Sequence, residues 1–339
     1  MARNRTALVL GATGGIGGEV ARRLLARGWT VRALHRDAAG RAARGGGLTW
    51  VQGDALDAAQ VRAAARGASL LVHAVNPPGY RNWGALVLPM LESTLAAARE
   101  TGARVLLPGT VYNYGPEAFA HLDEQAPQRP RTRKGALRVE LERRLEAAAV
   151  RGEARVLVVR AGDYFGPRAG NSWFSQGLVR PGRPVTSVTL PGAPGVGHAW
   201  AYLPDVAETM VRLLEREEAL APFDTFHLEG HWDADGTGML EAIRRVVGRP
   251  ALRARRLPWG LLRLASPLVP LFRELSELRP LWQTPVRLVN GKLLGVLGEE
   301  PRTPLDVAVR ETLVGLGCLA AAPGTGGAAP TPAPAERMA

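Results

Sequence analysis

The chain has 339 residues, 46% of them apolar and 22% charged, which suits a globular protein large enough for one big domain and a smaller second lobe. Its single cysteine, Cys318, excludes an internal disulfide and a cysteine metal cluster, so no oxidising compartment is needed and no metal site is expected. A net charge of +12 raises the question of nucleic acid, but the charge is nearly all arginine, scattered along the chain with no basic block interleaved with aromatics, so no nucleic-acid partner is expected.

The apolar run Ala7–Leu10 near the N-terminus is too short for a secretory signal, and a cytoplasmic location is expected. From Thr6 to Leu10 the pattern predicts a short buried strand. The glycine-rich loop Gly11-Ala12-Thr13-Gly14-Gly15-Ile16-Gly17 follows it and opens a helix through Glu19–Arg27, which Gly28 ends. Further strands are predicted at Thr30–Leu34, Leu48–Gln52, Ser69–Val75, Arg104–Leu107 and Arg155–Val159. Helices at Val61–Ala65, Gly84–Thr101 and Arg133–Arg151 alternate with the later strands. Such alternation predicts an α/β fold: a doubly wound, Rossmann-type parallel sheet of order 3-2-1-4-5-6, covered on both faces. Ligands of such a sheet bind at the carboxyl ends of its strands, which places the loops 11–17, 35–37, 53–55, 74–83 and 108–115 around one crevice.

After Gly166-Pro167 the alternation fails, and 168–198 is rich in Gly, Pro and Arg. A helix at Leu203–Leu214, a strand-like 225–228 and helices near 238–247, 258–273 and 304–316 then predict a smaller C-terminal lobe that closes over the crevice. The expected division is 1–167 for the dinucleotide-binding domain, 168–319 for the substrate lobe and 320–339 for a disordered tail, with later returns of the chain to the sheet left open. The segment 257–272 is the most apolar, yet Arg263 and three prolines interrupt it. It reads as a helix pair inside the C-terminal lobe; resting on a membrane surface is the alternative, and a membrane partner is not the expectation.

The glycine loop follows a buried strand and opens a helix, the context in which it holds a pyrophosphate. Gly11 permits the tight turn, Gly14 lets the backbone approach the anion, and Gly17 lets the helix pack closely. The helix N-terminus supplies N–H groups and the positive end of its dipole. Thr13, Gly15 and Ile16 complete the expected cofactor contacts. At the end of the second strand, His35 stands where an acid would bind the ribose of NAD, and Arg36 follows it, matched to the 2′-phosphate of NADP. NADP is therefore preferred over NAD, with an inward-turned Asp37 or a solvated Arg36 as the alternatives.

These residues resemble the extended or atypical short-chain dehydrogenase/reductases, the family of NAD(P)-dependent sugar-nucleotide epimerases and dehydratases, over about residues 5–316. The loop is similar to that family's GxxGxxG. Asp54, with Ala55 beside it, resembles the family's adenine-contacting Asp, and His73-Ala74-Val75-Asn76 its fourth-strand motif, whose backbone lines the cofactor. Thr110-Val-Tyr112-Asn-Tyr114-Gly115 resembles its Ser/Thr-x-x-x-Tyr-Gly segment. Arg160-Ala-Gly-Asp-Tyr164-Phe-Gly-Pro167 resembles its Arg-Pro-Gly-x-x-Tyr-Gly-Pro, and Leu203-Pro-Asp205-Val-Ala207 its Val-x-Asp-Val-Ala.

The resemblance implies chemistry by a Ser/Thr, a Tyr and a Lys, with hydride passing to or from the nicotinamide. Thr110 matches the hydroxyl that orients the substrate. No tyrosine stands in Pro130–Glu142, where Tyr-x-x-x-Lys is due. In the preferred register Lys134 takes the tyrosine's place and Arg138 the lysine's, with Glu142 where the family often has Glu; in the other, Lys134 is the lysine and Pro130 stands for the tyrosine. Arg138 is expected to bind ribose or phosphate, although arginine does not titrate as the pair requires. The acid is then sought in Tyr112, Tyr114, Tyr80, Tyr164 or Lys134, with His198 as an outside candidate whose plain reading is a loop histidine. Tyr80, Trp83, Tyr112 and Tyr164 are expected around the substrate. The expected function is an NAD(P)-dependent oxidoreductase or epimerase-like enzyme on a small carbonyl or hydroxyl compound, nucleotide sugars being the class the resemblance suggests, as it suggests a homodimer. The alternative is a non-catalytic NADP(H)-binding sensor or regulator.

Overall fold

A computed structural model describes residues 5–43, 45–77, 82–266 and 270–321. Its centre is a seven-stranded parallel sheet. The elements alternate as the pattern predicts: β1 (Thr6–Leu10), α1 (Gly15–Ala26), β2 (Thr30–His35), α2 (Ala38–Ala42), β3 (Thr49–Gln52), α3 (Ala58–Ala65), β4 (Leu70–His73), α4 (Trp83–Thr101), β5 (Arg104–Pro108), α5 (Arg133–Val150) and β6 (Arg155–Arg160). The strand order runs 3-2-1-4-5-6, and β10 (Phe223–His227) adds a seventh strand parallel to β6. That strand is the return of the chain left open by the sequence; its residues 225–228 were expected in the smaller lobe.

Every residue of β1 is buried because the sheet is covered on both sides. Leu8 and Leu10 pack into the core shared with α3, α4 and α5. Ala7 and Val9 face α1 and α6 (Leu203–Leu214) on the other side. Two-sided burial is why the strands read as apolar runs without alternation.

Three more strands were not predicted: β7 (Asp163–Phe165) just before the patternless stretch, β8 (Ser187–Leu190) within it and β9 (His198–Tyr202) starting at its end. With β11 (His231–Asp233), β9 and β7 form a small mixed sheet, and β8 pairs with β12 (Arg253–Arg256). His198 is therefore a strand residue, contrary to the loop reading. These strands missed prediction because they are three to five residues long and their partners lie far away in sequence. A third core joins Phe165, Phe174 and Trp200 to α7 (Gly238–Val247) and α11 (Leu305–Gly315). The helix pair expected over 257–272 is α8 (Trp259–Ala265) and α9 (Pro270–Leu278); α10 is Gly291–Leu297. Leu261 and Leu264 on α8 are exposed. No helix of the described residues is long and apolar enough to cross a membrane. The tail expected to be disordered falls almost wholly outside the described residues.

A buried polar network ties α5 to the C-terminal ends of β6 and β10. The Arg160 guanidinium pairs with Glu142 and donates to Nε2 of His227 at 3.0 Å. With that nitrogen accepting, Nδ1 is left to donate to the Leu122 carbonyl at 3.1 Å, so His227 is neutral. Burial and the adjacent Arg160 charge push its pKa down to about 3. His73, fully buried at the end of β4, is likewise held down to about 3 by burial, with the Arg138 charge adding to it. Both histidines titrate lower folded than at their ordinary 6.5, so the unfolded chain binds more protons between those values. Stability is thus expected to hold above pH 6.5 and to fall as pH drops toward 3, by about 1.4 kcal/mol per pH unit for each histidine. Denaturant titrations across that range check it; a flat profile contradicts neutral burial.

Candidate functional site

The glycine loop is forced by backbone proximity. Gly11 has φ +93°, and a Cβ there would lie 2.4 Å from the Ala74 carbonyl oxygen at the end of β4. A Cβ on Gly17 would lie 2.3 Å from the Gly11 oxygen, so only glycine lets α1 start this close to the loop. The Gly14 amide closes the turn onto the Gly11 carbonyl at 2.9 Å. Gly14 caps α1 without a side chain, and the first turn of α1 holds no acid. Its N–H groups therefore meet an anion with neither a competing acceptor nor a repelling charge. Thr13 and Gly14 are exposed, and Gly15 approaches Leu203. These features fit the pyrophosphate of a dinucleotide.

At the end of β2, Asp37 is occupied. Its carboxylate accepts from the Gly40 amide at 3.1 Å and caps α2, while its own amide donates to His35 Nδ1 at 2.9 Å. His35 stands edge-on to Trp50. The Arg36 side chain is exposed, and its carbonyl is fixed by Gln52 at 2.7 Å. Asp54 accepts from the Leu56 amide at 3.0 Å, and Ala55 packs on the core beneath.

One cavity of about 430 Å³ gathers the strand ends. Ile16, Ala74, Asn76, Trp83, Thr110, Tyr112, Arg138 and Tyr164, all singled out in the sequence, line it. Thr110 Oγ1 accepts from the Tyr112 amide at 3.2 Å, and so caps the short 3₁₀ turn at Val111–Asn113. Arg138 donates to Asn76 Oδ1 at 3.0 Å and lies 5.1 Å from the centre of the Trp83 ring. The Tyr164 hydroxyl is buried and finds no partner among the described residues. Burial pushes its pKa well above the usual phenol range, with the Arg138 charge opposing.

Other candidates lie elsewhere. Lys134, in the first turn of α5, is buried and forms an ion pair with Glu277 of α9 at 3.6 Å; it does not line the cavity. Tyr114 is buried with its hydroxyl 3.4 Å from His227 Nε2, and burial pushes its pKa up to about 12. Tyr80 lies outside the described residues. His198 stacks on Trp282 with ring centres 3.7 Å apart, and its Nε2 meets Asp163 Oδ2 at 2.9 Å. Asp163 itself lines the cavity.

Sequence reasoning missed Asp163, Trp173, Gln176, Leu262, Phe272 and Leu275 on the cavity wall. Asp163 directly precedes Tyr164 in a segment whose likeness drew attention to the tyrosine alone. Gln176 sits in a π-helical turn, Phe174–Leu178, within the stretch without periodicity. Trp173 directly precedes that turn, and only the fold back of α8 and α9 brings Leu262, Phe272 and Leu275 here.

The profile of the NAD dependent epimerase/dehydratase family matches residues 7–228. No curated protein matches the sequence. Among solved structures, UDP-glucose 4-epimerase from Bifidobacterium longum, in complex with NAD+ and UDP, is 16% identical, with a TM-score of 0.68, covering 91% of this chain and 97% of its own. UDP-glucuronic acid 4-epimerase from Bacillus cereus, with UDP-glucuronic acid and NAD, is 15% identical, with a TM-score of 0.71 over 92% and 98%. UDP-glucose-4-epimerase from Stenotrophomonas maltophila, with NAD and formylated UDP-arabinopyranose, is 16% identical, with a TM-score of 0.72 over 92% and 98%. At these identities the likeness is one of fold; the family match is one of sequence. The chain belongs to the NAD-dependent epimerase/dehydratase family.

Replacing Gly17 by Ala sets a methyl group against backbone that has no room to move. Dinucleotide affinity, measured by calorimetry, is expected to fall at least about tenfold, a loss of roughly 1.4 kcal/mol. Unchanged affinity would show that the loop does not hold the pyrophosphate.

Proposed function

From membership of the NAD-dependent epimerase/dehydratase family, we propose that this chain is an NADP(H)-dependent oxidoreductase or epimerase-like enzyme acting on a small carbonyl or hydroxyl compound. The observation that carries the proposal is that Tyr164, whose buried hydroxyl has no partner among the described residues, lines the same cavity as Thr110, Arg138 and Ile16 at the start of α1. A buried hydroxyl without a partner costs about 1–3 kcal/mol, and a substrate oxygen would satisfy it. Bound on the glycine loop, a nicotinamide dinucleotide supplies or accepts the hydride.

The chain's own residues do the rest. Thr110 orients the substrate oxygen, and Tyr164 holds the proton that oxygen receives. Tyr164 takes over the role for which the family's Tyr-x-x-x-Lys segment has no tyrosine here. Arg138 sits where that segment's lysine falls; it binds ribose and opposes the rise in the Tyr164 pKa, as a lysine would for its tyrosine. Tyr164 donates its proton when a carbonyl is reduced and takes it back when the alcohol is oxidised. Lys134, spent on Glu277, holds α5 to α9 and does not move the proton. NADP is favoured over NAD because Asp37, the acid nearest the ribose position, caps α2 and leaves Arg36 exposed for a 2′-phosphate.

With NADPH and a panel of carbonyl compounds, Tyr164→Phe is expected to lower kcat/KM by about a hundredfold or more while NADPH affinity holds. Full activity in that variant would move the donor elsewhere. Tight NADPH binding with no turnover on any carbonyl would favour the sensor or regulator instead. Arg36→Ala should weaken NADPH binding by about tenfold or more and spare NADH, since a charged hydrogen bond is worth roughly 1.5–3 kcal/mol; equal losses for both would overturn the NADP preference.

A further inference from the structure

The cavity wall divides by element. The strand ends contribute the polar groups described above. The segment from Leu257 through α9 contributes Leu257, Leu262, Phe272 and Leu275, all apolar, while the turn around Ser172 sets Trp173 beside Asn171, Ser172 and Gln176. Among the described residues lining the cavity, Arg138 is the only cation and Asp163 the only carboxylate. Arg138 is already engaged by Asn76 and the Trp83 ring.

A nucleotide sugar carries two negative charges on its diphosphate. Drawing them out of water demands paired cations or a row of donors. Among the described residues one engaged guanidinium faces them, with a carboxylate in the same wall. The anion site described above, the start of α1, belongs to the cofactor in the function proposed above. Volume points the same way: about 430 Å³ lies at the low end for small-molecule sites, and the nicotinamide end must share it.

We infer that the substrate is an uncharged, largely apolar carbonyl or hydroxyl compound, its oxygen at Thr110 and Tyr164 and its hydrocarbon part against Leu262, Phe272 and Leu275, and not a nucleotide sugar. This rests on the oxidoreductase function proposed above, which it narrows. Leu262 faces the cavity while Leu264, on the same helix, is 79% exposed, so α8 offers a built-in control.

The test is calorimetric titration of the full chain loaded with NADP+, which cannot reduce a ketone, so binding is read without turnover. Straight-chain methyl ketones of increasing length are expected to bind about fourfold tighter per added methylene, the equivalent of ~0.8 kcal/mol each, until the wall is covered. UDP-glucose is expected not to compete. Leu262→Asp and Phe272→Asp should weaken ketone binding by at least about tenfold with NADP+ affinity unchanged, and Leu264→Asp should change neither. Competition by UDP-glucose, or ketone affinity independent of chain length, would overturn the inference. The wild-type series decides the matter even where a variant fails to fold. Failure of NADP+ itself to bind would instead sink the proposed function; the ketone series, repeated on the chain alone, would still report the ligand class.

Discussion

The backbone contact between Gly11 and Ala74 sets the geometry of everything around it. Two loops leave adjacent parallel strands, β1 and β4, and meet closer than any side chain at Gly11 permits. That approach aims α1 at the crevice, because Gly17 can then seat the helix directly on the Gly11 carbonyl. It also fixes where Asn76 leaves β4, and so where Arg138 is caught. The anion site and the polar half of the cavity are consequences of one tight crossing at the switch point of a doubly wound sheet.

Beneath the cavity, polar groups that look unsuited to a core are kept there by mutual satisfaction. Arg160 is shared between Glu142 and His227, and His227 spends its remaining proton on Leu122. Gln128 adds a donor to Glu142 at 3.2 Å. Removing one partner would strand a buried charge, which commonly costs about 3–5 kcal/mol. The network anchors α5, the helix that carries both Arg138 and Lys134, to the ends of β6 and β10. The position of Arg138 in the cavity thus depends on chemistry one layer below it.

Much of the sheet was legible because its signals are local. Thr6–Leu10, the glycines after it and the helix stop at Gly28 are read within thirty residues, and the sheet order follows from the handedness of the crossovers. Thr110 and Tyr164 were legible as members of short motifs. Lys134 shows where that method ends: its spacing suits a tyrosine's place, but its partner Glu277 lies on α9, far along the chain. The apolar wall was harder still. Leu262 belongs to a segment that reads first as a buried helix pair, with a membrane surface as the alternative, and Leu275 lies just beyond it; only the fold back over the crevice gives both a place on the cavity wall. His198 and Asp163 came together through β7 and β9, strands too short to carry a period.

In the proposed function a single cavity joins the cofactor's nicotinamide end to Tyr164. The most direct measurement is a crystal structure of the chain with NADPH. The expected result is the pyrophosphate on the amides at the start of α1 and the nicotinamide ring between Thr110 and Tyr164, with room for a substrate oxygen within about 3 Å of the phenol. A nicotinamide lodged elsewhere, or a Tyr164 hydroxyl turned away into the protein, would contradict it.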